Sequence, residues 1–255
     1  MAITLDGSNG ITTDIASNES ATFNRDTTDG DIIILQKDNA TVGSIGTKSD
    51  RLFIGDDSFG GLAFSNGVST VFPADSSGSP SDNTHDLGTS SNRFKDLYLS
   101  GGVYLGGTGA ANHLDDYEEG TWTPEYYAGG STMTATYDNV VYGTYQKIGN
   151  AVYFNGCIRT DSITVGSSGD TLQISGLPFA PVSGTYGGGT ERWAVTIGRA
   201  ITFPSINPQF ALVGLGVARI ELYQDSNSNI SIQANGVSNT ANSNTIEFSG
   251  MYRTA

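Results

Sequence analysis

Cysteine is nearly missing from this chain: among 255 residues only Cys157 carries a thiol. One thiol closes no intrachain disulfide and builds no cysteine zinc cage, and its apolar neighbours in a strand-like stretch predict a small buried hydrophobe. Basic residues are also few, 12 Lys and Arg against 26 Asp and Glu, for a formal net charge of −14. No Lys/Arg stripe exists to meet phosphates, which excludes nucleic-acid binding, and an anionic membrane surface repels such a protein. Long hydrophobic runs are absent: Ile32 to Leu35 and Phe210 to Ile220 fall far short of the roughly 18 residues of a membrane span. The opening MAITLDG has neither a basic n-region nor an apolar h-region. The expectation is therefore a soluble protein without a secretory signal or membrane insertion. Helical periodicity is missing too, since no window of eleven or more residues repeats apolar positions at i, i+3, i+4 and i+7.

What the chain has is glycine, 34 residues of it, beside only 15% charged and 37% apolar residues. The glycines follow no three-residue period, which excludes collagen. A chain with so little core per residue gains by association, where interlocked copies bury what one copy cannot. Charge is uneven: residues 1–114 hold 14 acids and 6 bases, Asp115 to Glu119 hold four acids, and 120–255 hold 8 acids and 6 bases. Alternation of apolar and polar residues recurs throughout. Asp96 to Leu105 puts Leu97, Leu99, Val103 and Leu105 on one face, predicting a half-buried strand bent at Gly101-Gly102. Gly46 to Phe53 and Gly88 to Lys95 share the pattern Gly-Thr-x-Ser-x-Arg, 42 positions apart, which suggests short β modules. Between them Ala74 to Thr84 reads as a loop. After Gly120 a hairpin is predicted from Val141 to Ile148 and Ala151 to Ile158 around Gly149-Asn150, with Val152, Phe154 and Ile158 facing the core. Further strands are expected at Thr171 to Leu177, Arg192 to Ile197, Phe210 to Tyr223, Ile230 to Ala234 and Thr245 to Tyr252. That series describes an antiparallel β-sandwich or jelly roll.

Catalytic constellations fail in turn. His85 and His113 sit in loop-like segments, and no Gly-x-Ser-x-Gly elbow precedes a helix. Asp115, Asp116, Glu118 and Glu119 could mimic a glycosidase pair, yet four acids in five residues read more simply as a self-repelling spacer. Asp225 to Asn229 opens like a calcium loop, but Ile230 stands at its sixth position and Gly236 at its twelfth, so a hairpin turn is expected. Glycine pairs such as Gly60-Gly61 lack the Lys-Ser/Thr of a phosphate loop. The expectation is no enzyme, no metal and no cofactor.

The run Asp86 to Leu105, DLGTSSNRFKDLYLSGGVYL, resembles a unit that recurs in fibre and tail-appendage proteins of tailed bacteriophages. Leu114 to Pro124, LDDYEEGTWTP, with Gly143 to Gly149 and Ile174 to Phe179, resembles the C-terminal head domain of the same fibres, and Met1 to Gly7 resembles a fibre start. The resemblance implies an all-β homotrimer: an N-terminal virion-attachment segment (1–30), an elongated stalk of short β modules (31–111), an acidic tether (112–120) and a β-sandwich head (121–255). It also implies location on the virion, with other virion proteins of tail or capsid as N-terminal partners and a host-surface glycan or protein as receptor at the head. Such fibres often end in a self-cleaving chaperone module, and this chain reaches Thr254-Ala255 without one, so trimerisation is expected from the domains present. Rigid aromatic platforms beside Gly-rich loops suit receptor contact, which selects Tyr126, Tyr127, Tyr186 and Trp193. Trp122, held between Thr121 and Thr123, reads as a structural anchor. A capsid fibre or tail adaptor with a purely structural role is the alternative, and a polysaccharide-degrading appendage a further one.

Overall fold

The computed structural model describes residues 22–254 except 57, 66, 130–132, 166–168, 184, 187–188, 191, 215 and 226–229, and not the side chains of 185–186 and 189–190. Most of the expected attachment segment therefore lies outside the described residues. The chain is all-β, and among the described residues its helical content is two three-residue 3-10 turns, Ala110–Asn112 and Ala234–Gly236. No described helix is long and apolar enough to cross a membrane. Two compact units divide between Leu97 and Tyr98.

The first unit is a five-stranded antiparallel meander: β1 (Gly30–Lys37), β2 (Ala40–Lys48), β3 (Arg51–Asp56), β4 (Gly60–Phe64) and β5 (Val71–Ala74). Its first two turns are two-residue hairpins at Asp38-Asn39 and Ser49-Asp50, with all four residues at positive φ. That type I′ geometry matches the right-handed strand twist. One face carries the row Gly46, Phe53, Ala63 and Phe72, directly paired across β2 to β5. Loop 75–80 folds over this face: the Lys48 ammonium lies 4.6 Å from the Phe53 ring centre and donates to the Ser76 carbonyl. The other face repeats a different row, Ile33, Ile45, Ile54, Leu62 and Pro73, one residue per strand. Beside it runs Leu52, Phe64 and Val71. Ile54 is 44%, Leu62 51% and Val71 56% exposed. Among the described residues the buried apolar core on the closed side is Phe53, Ala63 and Ala74, with Phe72 against it.

The second unit comprises β6 (Val103–Tyr104), β7 (His113–Leu114), β8 (Tyr117–Trp122), β9 (Glu125–Ala128), β10 (Met133–Tyr137), β11 (Tyr142–Ile148), β12 (Ala151–Val165), β13 (Leu172–Ser175), β14 (Thr185–Tyr186), β15 (Gly189–Thr190), β16 (Trp193–Ile201), β17 (Phe210–Val213), β18 (Arg219–Tyr223) and β19 (Ser243–Arg253). Ten of them form one antiparallel sheet in the order β8-β11-β12-β19-β16-β17-β18-β13-β9, with β10 on the far half of β12. β8 and β9 stand at opposite ends of that order, yet only Thr123 and Pro124 separate them in sequence. One strand bent at a proline thus serves both ends, and the sheet must curl until they meet. The inward alternation Trp122, Pro124, Tyr126, Ala128 continues through the bend, all four side chains being buried. Inside the curl lies one apolar cluster in which Trp122, Phe154, Phe248 and Tyr252 meet ring to ring, with centroids 5.7 to 6.3 Å apart. Glycine makes room for the indole: a Cβ at Gly143 would lie 2.5 Å from it, and one at Gly156 3.3 Å.

A fully buried asparagine ties this core together. Asn244, at φ +50°, donates from Nδ2 to Thr160 Oγ1 at 2.7 Å and to the Ser238 carbonyl at 2.8 Å. Its Oδ1 accepts from the Ser238 amide at 2.7 Å, and its carbonyl accepts from the Tyr126 hydroxyl. Every polar atom of the side chain is satisfied, as burial requires.

Several sequence expectations need correction. Only Val103–Tyr104 of Asp96 to Leu105 is a strand, and Leu97, Leu99 and Leu105 are exposed, because β7 offers two residues of pairing and a single apolar side chain, Leu114 opposite Val103. The repeated Gly-Thr-x-Ser-x-Arg pattern has two structures: the first copy is the β2–β3 hairpin, the second an isolated turn in which Thr89 Oγ1 accepts from the Asn92 amide at 2.9 Å. Phe210 to Tyr223 is two strands rather than one, turning between Val213 and Arg219. Ile230 to Ala234 makes isolated bridges, Ser231 to Tyr223 and Gln233 to Thr171, instead of a strand. The hairpin around Gly149-Asn150 has the expected form, Gly149 taking φ +56° as a II′ turn demands.

Burial of tyrosine has an alkaline consequence. Tyr252 and Tyr137 have phenol pKa values pushed up to about 12, and Tyr126 is raised well above 10, burial being the first cause in each. Since the neutral form is the folded one, the contribution is complete below the unfolded value near 10 and disappears as pH climbs toward 12. Thermal melts followed by circular dichroism should show constant stability to about pH 9.5 and a steep fall by pH 11. Tyr252→Phe should flatten that fall. A melt unchanged between pH 9 and 11.5 would refute this assignment.

Candidate functional site

A concavity of about 830 Å³ in the second unit opens on the outer face of β8, β11, β12, β19 and β16. Strand register builds it. Because side chains alternate across a strand, the partners Thr121, Thr144, Asn155, Ser249 and Thr196 form one straight row of short hydroxyl and amide side chains, one from each strand. The adjacent row is Glu119, Gln146, Tyr153 and Met251. The first row is a low floor and the second a wall with one aromatic ring, Tyr153, half exposed.

Hydrogen bonds fix both rows before any ligand arrives. Thr144 Oγ1 donates to Asn155 Oδ1 at 3.1 Å. Gln146 Nε2 donates to Glu119 Oε1 and to the Tyr117 hydroxyl, both at 3.0 Å, while that hydroxyl donates to Glu119. The Tyr117 hydroxyl, and after it Gln146, hold the Glu119 carboxyl below the usual glutamate range. It is the one carboxylate lining the concavity among the described residues, and it stays ionised.

The acidic segment read as a spacer therefore enters the sheet from Tyr117 onward, while Asp115 and Asp116 lie just before it. Residues 117–120 pair with β11, and strand alternation sends Glu118 and Glu119 to opposite faces. Each acid finds a partner: Asp115 the His113 ring at 3.5 Å, Asp116 the ammonium of buried Lys147, Glu118 the Tyr145 hydroxyl, Glu119 the Gln146 amide. For Asp116, Glu118 and Glu119, repulsion along the sequence is relieved by partners on β11.

Among the residues selected as receptor contacts, Tyr126 (5% exposed) and Trp193 (8%) are core residues. Neighbouring glycines made them look like loop residues, but both point inward from strands. Tyr127 is half-buried on the outer face, with the Arg219 guanidinium 3.8 Å above its ring. Near it a smaller hollow of about 200 Å³ holds Arg192, bonded to Glu221 and to the Tyr223 hydroxyl at 2.7 Å each. The Tyr186 side chain lies outside the described residues, as does most of the Asp225 to Asn229 loop. Trp122 is buried, its indole N–H donating to the Asn155 carbonyl at 3.2 Å, directly beneath the concavity floor. The groove residues Thr144, Gln146, Tyr153, Asn155 and Ser249 were missed by sequence reasoning. The available signal was the polar half of each alternating strand, which the search for core positions discards. Among the described residues no three His, Cys, Asp or Glu side chains gather as metal ligands.

No family model matches the chain, and no curated protein matches it. Among solved structures, the crystal structure of the Dettilon tailspike protein is similar over 54% of this chain, with 17% identity and a TM-score of 0.41. The match covers 24% of that protein's chain, so this chain spans about a quarter of its length.

Proposed function

We propose that this chain is a non-enzymatic, homotrimeric fibre protein of a tailed-bacteriophage particle. In this reading its N-terminal part is mounted on other virion proteins of tail or capsid, and its C-terminal unit binds the host-cell surface. The observation that carries the proposal is the contrast between the two sheets. The first leaves an apolar face open, rows of Ile, Leu, Val and Phe over a core of three buried residues. That is a surface made for copies of itself, since three chains can bury between them what one cannot. The second has a large closed core and opens a polar, aromatic-edged concavity to solvent. Such a surface suits adhesion. Glycoside cleavage by paired carboxylates needs one acid kept protonated near neutral pH, and Glu119 is held ionised. Weak sites then act together, because several copies on one particle raise avidity without new contacts.

The test is direct. Fluorescently labelled intact chain added to cells that the parent particle infects should coat them, and an excess of unlabelled chain should slow particle adsorption severalfold. Cells that stay dark, with adsorption unchanged, would remove the adhesion role and leave a purely structural one.

A further inference from the structure

Resting on that adhesive reading, we propose that the concavity on the outer face of β8, β11, β12, β19 and β16 binds a neutral oligosaccharide in extended form, laid across the strands. Three observations converge on this ligand class. The first is spacing. The floor places one short polar side chain on each of five neighbouring strands, and strands lie about 4.8 Å apart, so the row runs roughly 19 Å. That repeat is close to the advance of one pyranose ring along an extended glycan. Each ring can therefore meet one strand's hydroxyl or amide, and the trough accommodates a tetrasaccharide.

The second observation is the chemistry of the walls. Tyr153 and Met251 offer exposed apolar surface for the C–H face of a sugar ring. Asn155 and Gln146 each hold an amide in a bonded geometry, so they meet ligand hydroxyls without first being ordered. Asn155 spends Oδ1 on Thr144 and keeps its amide hydrogens for a ligand. Glu119 accepts from Tyr117 and Gln146 through Oε1, leaving its second oxygen to accept from a sugar hydroxyl.

The third is charge. Among the described residues no Lys or Arg lines the concavity, and the one carboxylate lining it is ionised, within a chain of net charge −14. A uronate, sialate or phosphate-bearing chain would lie against Glu119 with no cation in the lining to offset it, since Arg199 beside the floor is already paired with Glu247 at 3.2 Å and Arg253 stands beyond Met251, and this selects neutral rings. An apolar ligand is disfavoured as strongly, because it would strip water from five hydroxyl and amide groups and return no hydrogen bond.

The experiment uses the intact chain on a printed array of neutral and acidic oligosaccharides from two to eight rings. Neutral chains of four or more rings should bind, and acidic chains of equal length should bind at least tenfold less. Asn155→Ala and Tyr153→Ala should each weaken binding about tenfold, equivalent to about 1.4 kcal/mol. Ser249→Tyr, which fills the floor next to its central Asn155 from an outward-facing position, should abolish it while the melting profile stays unchanged. In solution, chain labelled at the methionine methyls should shift the Met251 signal and leave buried-side Met133 still when a bound tetrasaccharide from the array is added. Absence of any neutral binder, equal binding of acidic chains, or binding that survives Ser249→Tyr would overturn the proposal. Cell binding read in parallel separates the two claims. Ser249→Tyr that still coats cells removes the groove and spares adhesion, whereas a wild-type chain that coats none removes adhesion itself.

Discussion

Substituting aspartate for both Ile54 and Leu62 should turn the proposed trimer, three times 26.7 kDa, into single chains, as read by light scattering. The two side chains are direct cross-strand partners at the centre of the open face of the first sheet, and each is about half exposed in one chain. Burying a Leu or Ile side chain fully is worth about 1.5–3 kcal/mol, so half of each recovered in every copy amounts to several kcal/mol over three chains. Aspartate forfeits that gain and adds a charge that symmetry repeats in each neighbour. Ile201→Asp, at a partly exposed position of the second unit, is the control and should leave the mass alone. A wild-type chain that elutes as a monomer would sink the trimer reading, and so would an unchanged mass in the double variant.

The second large effect is expected at Trp122. Trp122→Ala should destabilise the C-terminal unit by about 3–5 kcal/mol in chemical unfolding, the usual cost of emptying a large aromatic site from a core. The loss should sit at the high end because the neighbours cannot close the gap. Gly143 and Gly156 have no side chains to move in, and Phe154 and Phe248 are held edge-on to the missing ring at 6.2 and 6.0 Å. Removing the indole N–H also frees the Asn155 carbonyl. Since the Asn155 side chain belongs to the polar floor above, Trp122→Phe, which keeps most of the volume, should cost less stability. A loss under about 1 kcal/mol for Trp122→Ala would mean that the core repacks, contrary to this account.

Features that depend on neighbours in sequence were legible from the chain. The Gly149-Asn150 turn, the inward set Val152, Phe154 and Ile158, and the all-β character all follow from local alternation and turn chemistry. Features that depend on register were not. The row Ile33, Ile45, Ile54, Leu62 and Pro73 comes together only when five strands align, and single residues in each strand give no hint of the others. The concavity is the same case on a larger scale, since its floor gathers Thr121, Thr144, Asn155, Thr196 and Ser249 from well-separated segments. Tyr126 and Trp193 were misread for a related reason: glycines nearby signalled loops, while the strands carrying both side chains point them into the core. The acid cluster failed because one-dimensional charge density ignores that alternate residues leave a strand on opposite sides.

The straight floor row has an evolutionary consequence. Each of its residues stands next to an inward side chain that belongs to the core or packs against it, as Asn155 follows Phe154 and Ser249 follows Phe248. Outward substitutions of this kind usually alter stability by no more than about 0.5 kcal/mol. On the proposed adhesive role, ligand preference can therefore drift one strand at a time, by exchanging Thr for Asn or Ser for Thr, over a scaffold that does not register the change. A lineage pursuing a shifting host coat would need no new fold, only new letters at the exposed beat of five strands.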